Sequence, residues 1–356
     1  MSRFWNERTR RLQPYVPGEQ PQDQQYIKLN TNENPQPPSA LVVAAMHAAV
    51  EDKLNLYPDP ECYDLKKSIA DYYKLPVECV FVGNGSDEVL AHIFAGLFDQ
   101  HKPLVCPDIS YSFYPVYARL YDIELQQIPL NEHFEINLDG YPVENGGIIF
   151  ANPNAPTSLA VPIADIERLL QRNSNTVVVV DEAYVDFGAQ SCVNLVSVYP
   201  NLLVTQTVSK SRSLAGLRVG FAIGSAPLIE GLERIKNSFN SYPLDKVAQA
   251  GAQAAFEDVT AFERGCQETI RIREKAKIQL QALDFEVLES SANFLFSRPS
   301  FMPAEDLYLA LKAAGVLVRY FNTPRINEYL RITIGTDAEM QALMKKISEI
   351  KQEATA

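Results

Sequence analysis

The feature that most constrains this chain is a series of short Val- and Ile-rich runs that are apolar at consecutive positions. Thr176–Val180 reads TVVVV, and a strand with no polar face must be covered on both sides, as in a parallel sheet between two helix layers. Six further short runs read as candidate strands: CVFV from Cys79, PLVC from Pro103, IELQQI from Ile123, GIIFA from Gly147, LLVTQTV from Leu202 and LRVGFAI from Leu217. Amphipathic segments separate them. PIADIERLLQRN begins at Pro162 with its acids early and its Arg late, the order that suits a helix dipole. This alternation predicts an α/β fold with a mostly parallel seven-stranded sheet in a large domain over residues 41–284. The two ends differ. Residues 1–40 are rich in Pro and Asn, and 285–356 mix strand-like runs with two helices, so both termini are expected to build one smaller α+β domain. A charged helical stretch from Ala248 to Leu283 would connect the two.

Charge and cysteine usage narrow the function. With 32 Lys+Arg against 44 Asp+Glu the net charge is −12, and no local basic patch offsets it, so neither nucleic acid nor an acidic membrane surface is an expected partner. No run approaches the roughly 18 apolar residues of a membrane span, and Arg3, Arg8, Arg10 and Arg11 are not followed by an apolar stretch. Cys62, Cys79, Cys106, Cys192 and Cys266 are odd in number and lack CxxC spacing, which suits reduced thiols in a cytoplasmic protein. Four histidines without an HxxxH pair argue against a metal centre.

Three segments carry candidate chemistry. Ser209 to Arg218 reads SKSRSLAGLR between two predicted strands, and a lysine held near cationic or apolar groups loses ammonium character and can attack a carbonyl. Taken alone, the block also suits a solvated loop. Gly83 to Glu88 reads GNGSDE after CVFV and before an apolar helix, a place where free backbone N–H groups can hold a phosphate. Ser86 as a simple N-cap would read the same way. The segment is not a dinucleotide fingerprint, because Glu88 stands where GxGxxG needs glycine. Third, TVVVV runs into Asp181-Glu182-Ala183-Tyr184, placing a carboxylate at the carboxyl end of a central strand, where open α/β sheets bind ligands. Its cationic partner is either a ligand or a structural group.

Together with KLNTNENP, NLYPDP, VLVR and LRITIGT, these blocks resemble, in this order, the pyridoxal-phosphate enzymes of aminotransferase fold type I, and among them the histidinol-phosphate aminotransferases. The resemblance runs from about Tyr15 to about Thr336. It implies pyridoxal 5′-phosphate as cofactor, with Lys210 forming the Schiff base, Asp181 pairing with the pyridinium nitrogen and Tyr184 donating to the ring oxygen O3′. It implies a phosphate held by Gly85, Ser86, Asp87, Ser209 and Arg218, with Tyr111 stacked on the ring. Tyr57 of a partner subunit would reach the phosphate, so a homodimer is implied. Tyr15, Arg319 and Arg331 match substrate-binding positions, and the implied reaction moves an amino group between histidinol phosphate and 2-oxoglutarate. Two positions depart from the pattern. Ala155 stands where many relatives carry the Asn that binds O3′, leaving Asn154 or Tyr184 alone to do so, and Ser158 replaces a glycine, so that turn is expected to differ. An aromatic amino acid aminotransferase or a threonine-phosphate decarboxylase would keep nearly all these cofactor residues. A cofactor-sensing regulatory module would need a DNA-binding part in front, for which the first 40 residues give no room. Arg325 has no role assignable from sequence.

Overall fold

The computed structural model describes residues 2–51 and 53–355. After β1 (Ile27–Lys28), all seven apolar runs become strands of one sheet: β2 (Val80–Asn84), β3 (Leu104–Pro107), β4 (Leu125–Ile128), β5 (Gly147–Ala151), β6 (Val178–Asp181), β7 (Leu202–Thr207) and β8 (Val219–Gly224). Their spatial order is β2-β8-β7-β6-β5-β3-β4. β8 runs antiparallel to both neighbours and the other pairs are parallel. Consecutive apolar residues are explained by the two faces: Val178 and Val180 join one core cluster, while Val179 points into another on the opposite side. Burying each such side chain stabilises the fold by about 1.5–3 kcal/mol.

Two expectations about boundaries are corrected. The strand expected at Thr176–Val180 starts two residues later and takes in Asp181, because pairing with Ala151 on one side and Thr205 on the other carries the ladder that far. The helical stretch expected from Ala248 to Leu283 is two helices, Lys246–Glu257 and Val259–Ala282. Asp258 interrupts them by turning its side chain to accept from the Ala261 N–H at 3.2 Å, a local bond that competes with helix continuation.

Beyond the second helix lie β9 (Phe285–Val287), β10 (Phe294–Pro299), β11 (Val316–Leu317), β12 (Arg319–Tyr320) and β13 (Leu330–Thr333). β12-β13-β10-β9 form an antiparallel sheet, and β1 pairs in parallel with β11. Leu29 continues this contact: its N–H donates to Leu317 O at 2.8 Å and its carbonyl accepts from Thr333 N at 3.0 Å. The N-terminal segment is thereby tied to the last hundred residues, with Leu29 in a core shared with Leu307, Ile332 and Leu343. No helix among the described residues is long and apolar enough to cross a membrane.

Candidate active site

The connections that carry the singled-out residues open at one end of the large sheet. β2 leads to Gly85–Asp87, β3 to Asp108–Tyr111, β6 ends on Asp181, β7 leads to Ser209 and Lys210, and Arg218 immediately precedes the antiparallel β8. Parallel packing places carboxyl ends together, and the N-terminal segment with β12 and β13 closes the space above them. The result is a cavity of about 620 Å³.

At one wall the helix Gly85–Gly96 begins with Gly85 in a left-handed conformation, φ +79°. A Cβ on Gly220 would meet the backbone nitrogen of Ser86 at 2.2 Å, so glycine in β8 is what lets the helix start come this close to the sheet. Arg218 lies across that start. Its Nη2 donates to Asp87 Oδ2 at 2.9 Å and its Nη1 lies 3.5 Å from Ser209 Oγ. Tyr111 donates its hydroxyl to the other oxygen of Asp87 at 2.8 Å. The arrangement collects a guanidinium, hydroxyls and the free N–H groups of a helix N-terminus, the chemistry of a phosphate site.

Deeper in, Asp181 is 5% exposed and accepts from Tyr114 Oη at 2.9 Å and Thr205 Oγ1 at 3.2 Å. Burial pushes its carboxyl up to about 6 despite those two donors. A buried carboxylate with hydroxyl partners and, among the described residues, no salt-bridge partner favours a cationic ligand. Lys210 donates from Nζ to the Thr31 carbonyl at 3.2 Å, and its amine lies 5.8 Å from the Tyr184 ring centre. Burial, with Arg331 and Arg218 adding repulsion against the pull of Glu33 and Asp87, lowers its pKa to about 8. A substantial fraction of the amine is therefore neutral near physiological pH. Tyr184 accepts at its hydroxyl oxygen from Asn32 Nδ2 at 3.0 Å.

The roof carries positive charge. Arg319 and Arg331 are direct cross-strand partners on β12 and β13, and both guanidinium groups lie over the Phe321 ring, at 5.3 and 5.5 Å. Arg331 donates to Asn30 O at 2.9 Å, while its buried Nε has no partner. Like charges opposite one another repel unless an anion joins them. Tyr15 lines the same cavity, its ring 4.7 Å from that of Phe113.

Two sequence expectations, at Asn154 and Ser158, meet a different arrangement. Asn154 is not brought to the cavity: its Nδ2 donates to Ile109 O and Thr157 Oγ1 and its Oδ1 accepts from Ser110, so its whole amide is engaged in shaping the loop behind the wall. The turn at Ser158 keeps the left-handed backbone of a glycine, φ +65°, and its hydroxyl donates to Glu289 O at 2.9 Å. Tyr57 lies outside the cavity, 81% exposed and stacked on Tyr242 at 4.7 Å. Four residues that the sequence reading passed over help build the site. Tyr114 stands three residues after Tyr111, a spacing visible in YSFY; Thr205 is found only through its register opposite Asp181; Asn32 sits inside the quoted KLNTNENP. Asp108 pairs with Arg325 at 3.1 Å, and Arg325 also donates to the carbonyls of Leu130 and Asn131, so this arginine latches the loop after β12 to the large sheet.

Residues 24–347 match the family described as aminotransferase class I and II. Histidinol-phosphate aminotransferase 1 of Hydrogenovibrio crunogenus is 57% identical over 350 residues, covering 98% of both chains. The histidinol-phosphate aminotransferase of a Marinomonas species is 57% identical over 346 residues, covering 96% of this chain and 98% of its own. Among solved structures, histidinol-phosphate aminotransferase from Sinorhizobium meliloti in complex with pyridoxal-5′-phosphate covers 99% of each chain with a TM-score of 0.88 at 22% identity, a likeness of fold.

Proposed function

This chain belongs to the class I and II aminotransferase family, and on that premise we propose that it is a histidinol-phosphate aminotransferase. It moves the amino group between L-histidinol phosphate and 2-oxoglutarate, giving imidazole-acetol phosphate and L-glutamate in histidine biosynthesis, with pyridoxal 5′-phosphate as cofactor. The observation that carries the reading is that one cavity gathers an amine of lowered pKa, a buried carboxylate, a helix N-terminus with Arg218, and a pair of facing arginines. The identity of 57% to relatives of that name over nearly the whole chain supports the choice of substrate.

The donor set fits the cofactor. The backbone N–H groups of Gly85, Ser86 and Asp87, with the Ser209 hydroxyl and Arg218, would hold its phosphate, Asp181 its ring nitrogen, Tyr184 its ring oxygen and Tyr111 the face of its ring, while Lys210 would bind its aldehyde carbon. When bound, pyridoxal phosphate supplies an imine-forming carbon and a cationic ring that withdraws electrons from the substrate carbon bearing the amine. Asp181, itself buried, would hold a proton on the ring nitrogen by charge attraction. Lys210 Nζ, whose lowered pKa leaves a fraction of it neutral near physiological pH, takes the proton from the substrate carbon; the Thr31 carbonyl gives that amine a hydrogen-bond acceptor. Arg331 binds the α-carboxylate of glutamate, and Arg319 binds the phosphate of histidinol phosphate or the distal carboxylate of glutamate, with Tyr15 closing over the substrate.

We also propose a homodimer in which Tyr57 reaches the partner's cofactor phosphate. The exposed Tyr57, stacked on Tyr242 at 4.7 Å, supports it, as do the exposed side chains of Leu54, Leu56 and Phe239. Residues 41–284 would form the cofactor-binding domain and residues 1–40 with 285–356 the substrate-closing one. The five cysteines are free, which supports the cytoplasm as its compartment. The test is a panel of amino donors with 2-oxoglutarate. kcat/KM for histidinol phosphate should exceed that for phenylalanine by tenfold or more, with no CO2 released from threonine phosphate. A preference for phenylalanine, or decarboxylation of threonine phosphate, would overturn the substrate assignment.

A further inference from the structure

Ala155 leaves the proposed ring-oxygen site short of one amide, and Asn154 does not replace it. The polar groups around Tyr184 supply another solution. Asn32 is 1% exposed, with a left-handed backbone, φ +56°. Its backbone N–H donates to Thr333 Oγ1 at 3.0 Å, Thr333 donates back to Asn32 Oδ1 at 3.0 Å, and Asn32 Nδ2 donates to Tyr184 Oη at 3.0 Å. Asn293 Nδ2 holds the Asn32 carbonyl at 3.0 Å, so the residue is anchored at backbone and side chain alike. The opposite orientation of the Asn32 amide is disfavoured by the same census. Thr333 Oγ1 would then receive two N–H groups and its own proton would face no acceptor within the triad.

Direction follows from this. A hydroxyl has one proton, and a Tyr184 oxygen that already accepts from an amide is left to donate elsewhere. The cavity is where that proton can go, because Tyr184 lines it. We propose that Asn32, oriented by Thr333, is a positioning residue that makes Tyr184 an obligatory hydrogen-bond donor to the cofactor's ring oxygen, standing in for the missing amide at Ala155. The inference rests on the function proposed above. Thr333 lies two residues from Arg331 on β13, so the strand that presents the substrate arginine also orients the cofactor's donor.

The test uses the cofactor-loaded enzyme and follows its visible absorption band against pH, in wild type, Tyr184→Phe, Asn32→Asp, Thr333→Val and the Tyr184→Phe/Asn32→Asp double variant. A donor to the ring oxygen stabilises its anionic form and holds the midpoint of the band down, so Tyr184→Phe raises it. Asn32→Asp keeps the size and the tolerance for left-handed backbone but offers only acceptors, drawing the Tyr184 proton away from the cavity. Its midpoint should rise by about one pH unit, a tenfold change in the protonation constant, and by clearly less in the Tyr184→Phe background, where only the added charge acts. Thr333→Val, which introduces no charge, should give a smaller rise of the same sign. A normal band in wild type, with midpoints in Asn32→Asp and Thr333→Val unchanged, would overturn the positioning role and leave the function standing. Equal rises for Asn32→Asp with and without Tyr184 would overturn it too. Absence of any band in wild type under saturating cofactor would instead overturn the functional reading, and this inference with it.

Discussion

The amine of Lys210 donates to the backbone carbonyl of Thr31 at 3.2 Å, joining residues 179 positions apart in the chain. The bond crosses from the loop after β7 to the N-terminal segment that pairs with β11 and is hydrogen-bonded to Thr333 of β13. A lysine in the exposed loop that SKSRSLAGLR would also suit has no reason to be neutral. This one has two: its burial and the positive field of Arg331 and Arg218.

The first prediction follows from that neutrality. In cofactor-free protein, acylation of Lys210 by an amine-selective reagent should follow a titration centred near pH 8, while exposed lysines titrate near about 10.4. After loading with pyridoxal phosphate, borohydride should fix the label on Lys210 and protect it from acylation. Peptide mapping reads both, and a label on Lys236 or Lys246 would show that the wrong lysine has been assigned.

Asp181 gives a pH dependence of stability. Its folded pKa, raised to about 6 by burial, lies above the ordinary carboxylate value. The folded chain thus binds more protons than the unfolded one between the two values, and stability declines as pH rises through that window. In cofactor-free protein Asp181→Asn should therefore gain up to about 3 kcal/mol at pH 8, less what Tyr114 or Thr205 loses in turning to the amide, and almost nothing below pH 4. Urea unfolding at several pH values measures it. With cofactor bound the benefit reverses, and kcat should fall by several powers of ten, each ~1.4 kcal/mol of lost transition-state stabilisation being tenfold. An Asn variant within a few-fold of wild type would show that the carboxylate only fills space.

The two arginines should separate by substrate. Removing a charge-assisted contact in a desolvated site costs about 2–5 kcal/mol, part of it the anion left unpaired. Arg319→Ala should weaken kcat/KM for histidinol phosphate far more than for histidinol, and Arg331→Ala should also penalise glutamate. Equal losses for histidinol and its phosphate in Arg319→Ala would mean that this residue holds β12 in place and does not read the phosphate.

Shared sites can be tested by complementation. If Tyr57 acts across the subunit boundary, mixing Lys210→Ala with Tyr57→Ala chains should restore activity, up to about a quarter of wild type after random exchange, since half the dimers then hold one intact site of two. Mass spectrometry of differently tagged chains confirms the exchange. No recovery among proven hybrids would count against a site built from two chains.

Much of the sheet was legible because burial on both faces forces a composition that no other element needs: TVVVV cannot be an exposed strand, and its neighbours repeat the signal. The helix break at Asp258 was missed because charged periodicity continues across it, and only the capping bond to Ala261 shows that the backbone stops. Within the site, Lys210, Asp181 and Arg218 stand out in sequence because each is an ionisable group in a short, distinctive block. Tyr114 and Thr205 do not, since a tyrosine beside a proline and a threonine in a strand are commonplace until Asp181 is placed against them.

Local pattern by itself determined the α/β alternation, the seven main strands and the blocks on which the candidate chemistry sits, because periodicity and turn residues act over a few positions. Tertiary structure alone decided what those blocks face. Asn154 turned its amide away, Arg325 became a latch to Asp108, and Asn32 came to lie against Tyr184. Each of these rests on hydrogen bonds between segments 44 to 217 residues apart or on a wall formed by them, and such bonds are directional. Their partners are set by strand register and loop closure across the whole molecule, which no short stretch of sequence encodes.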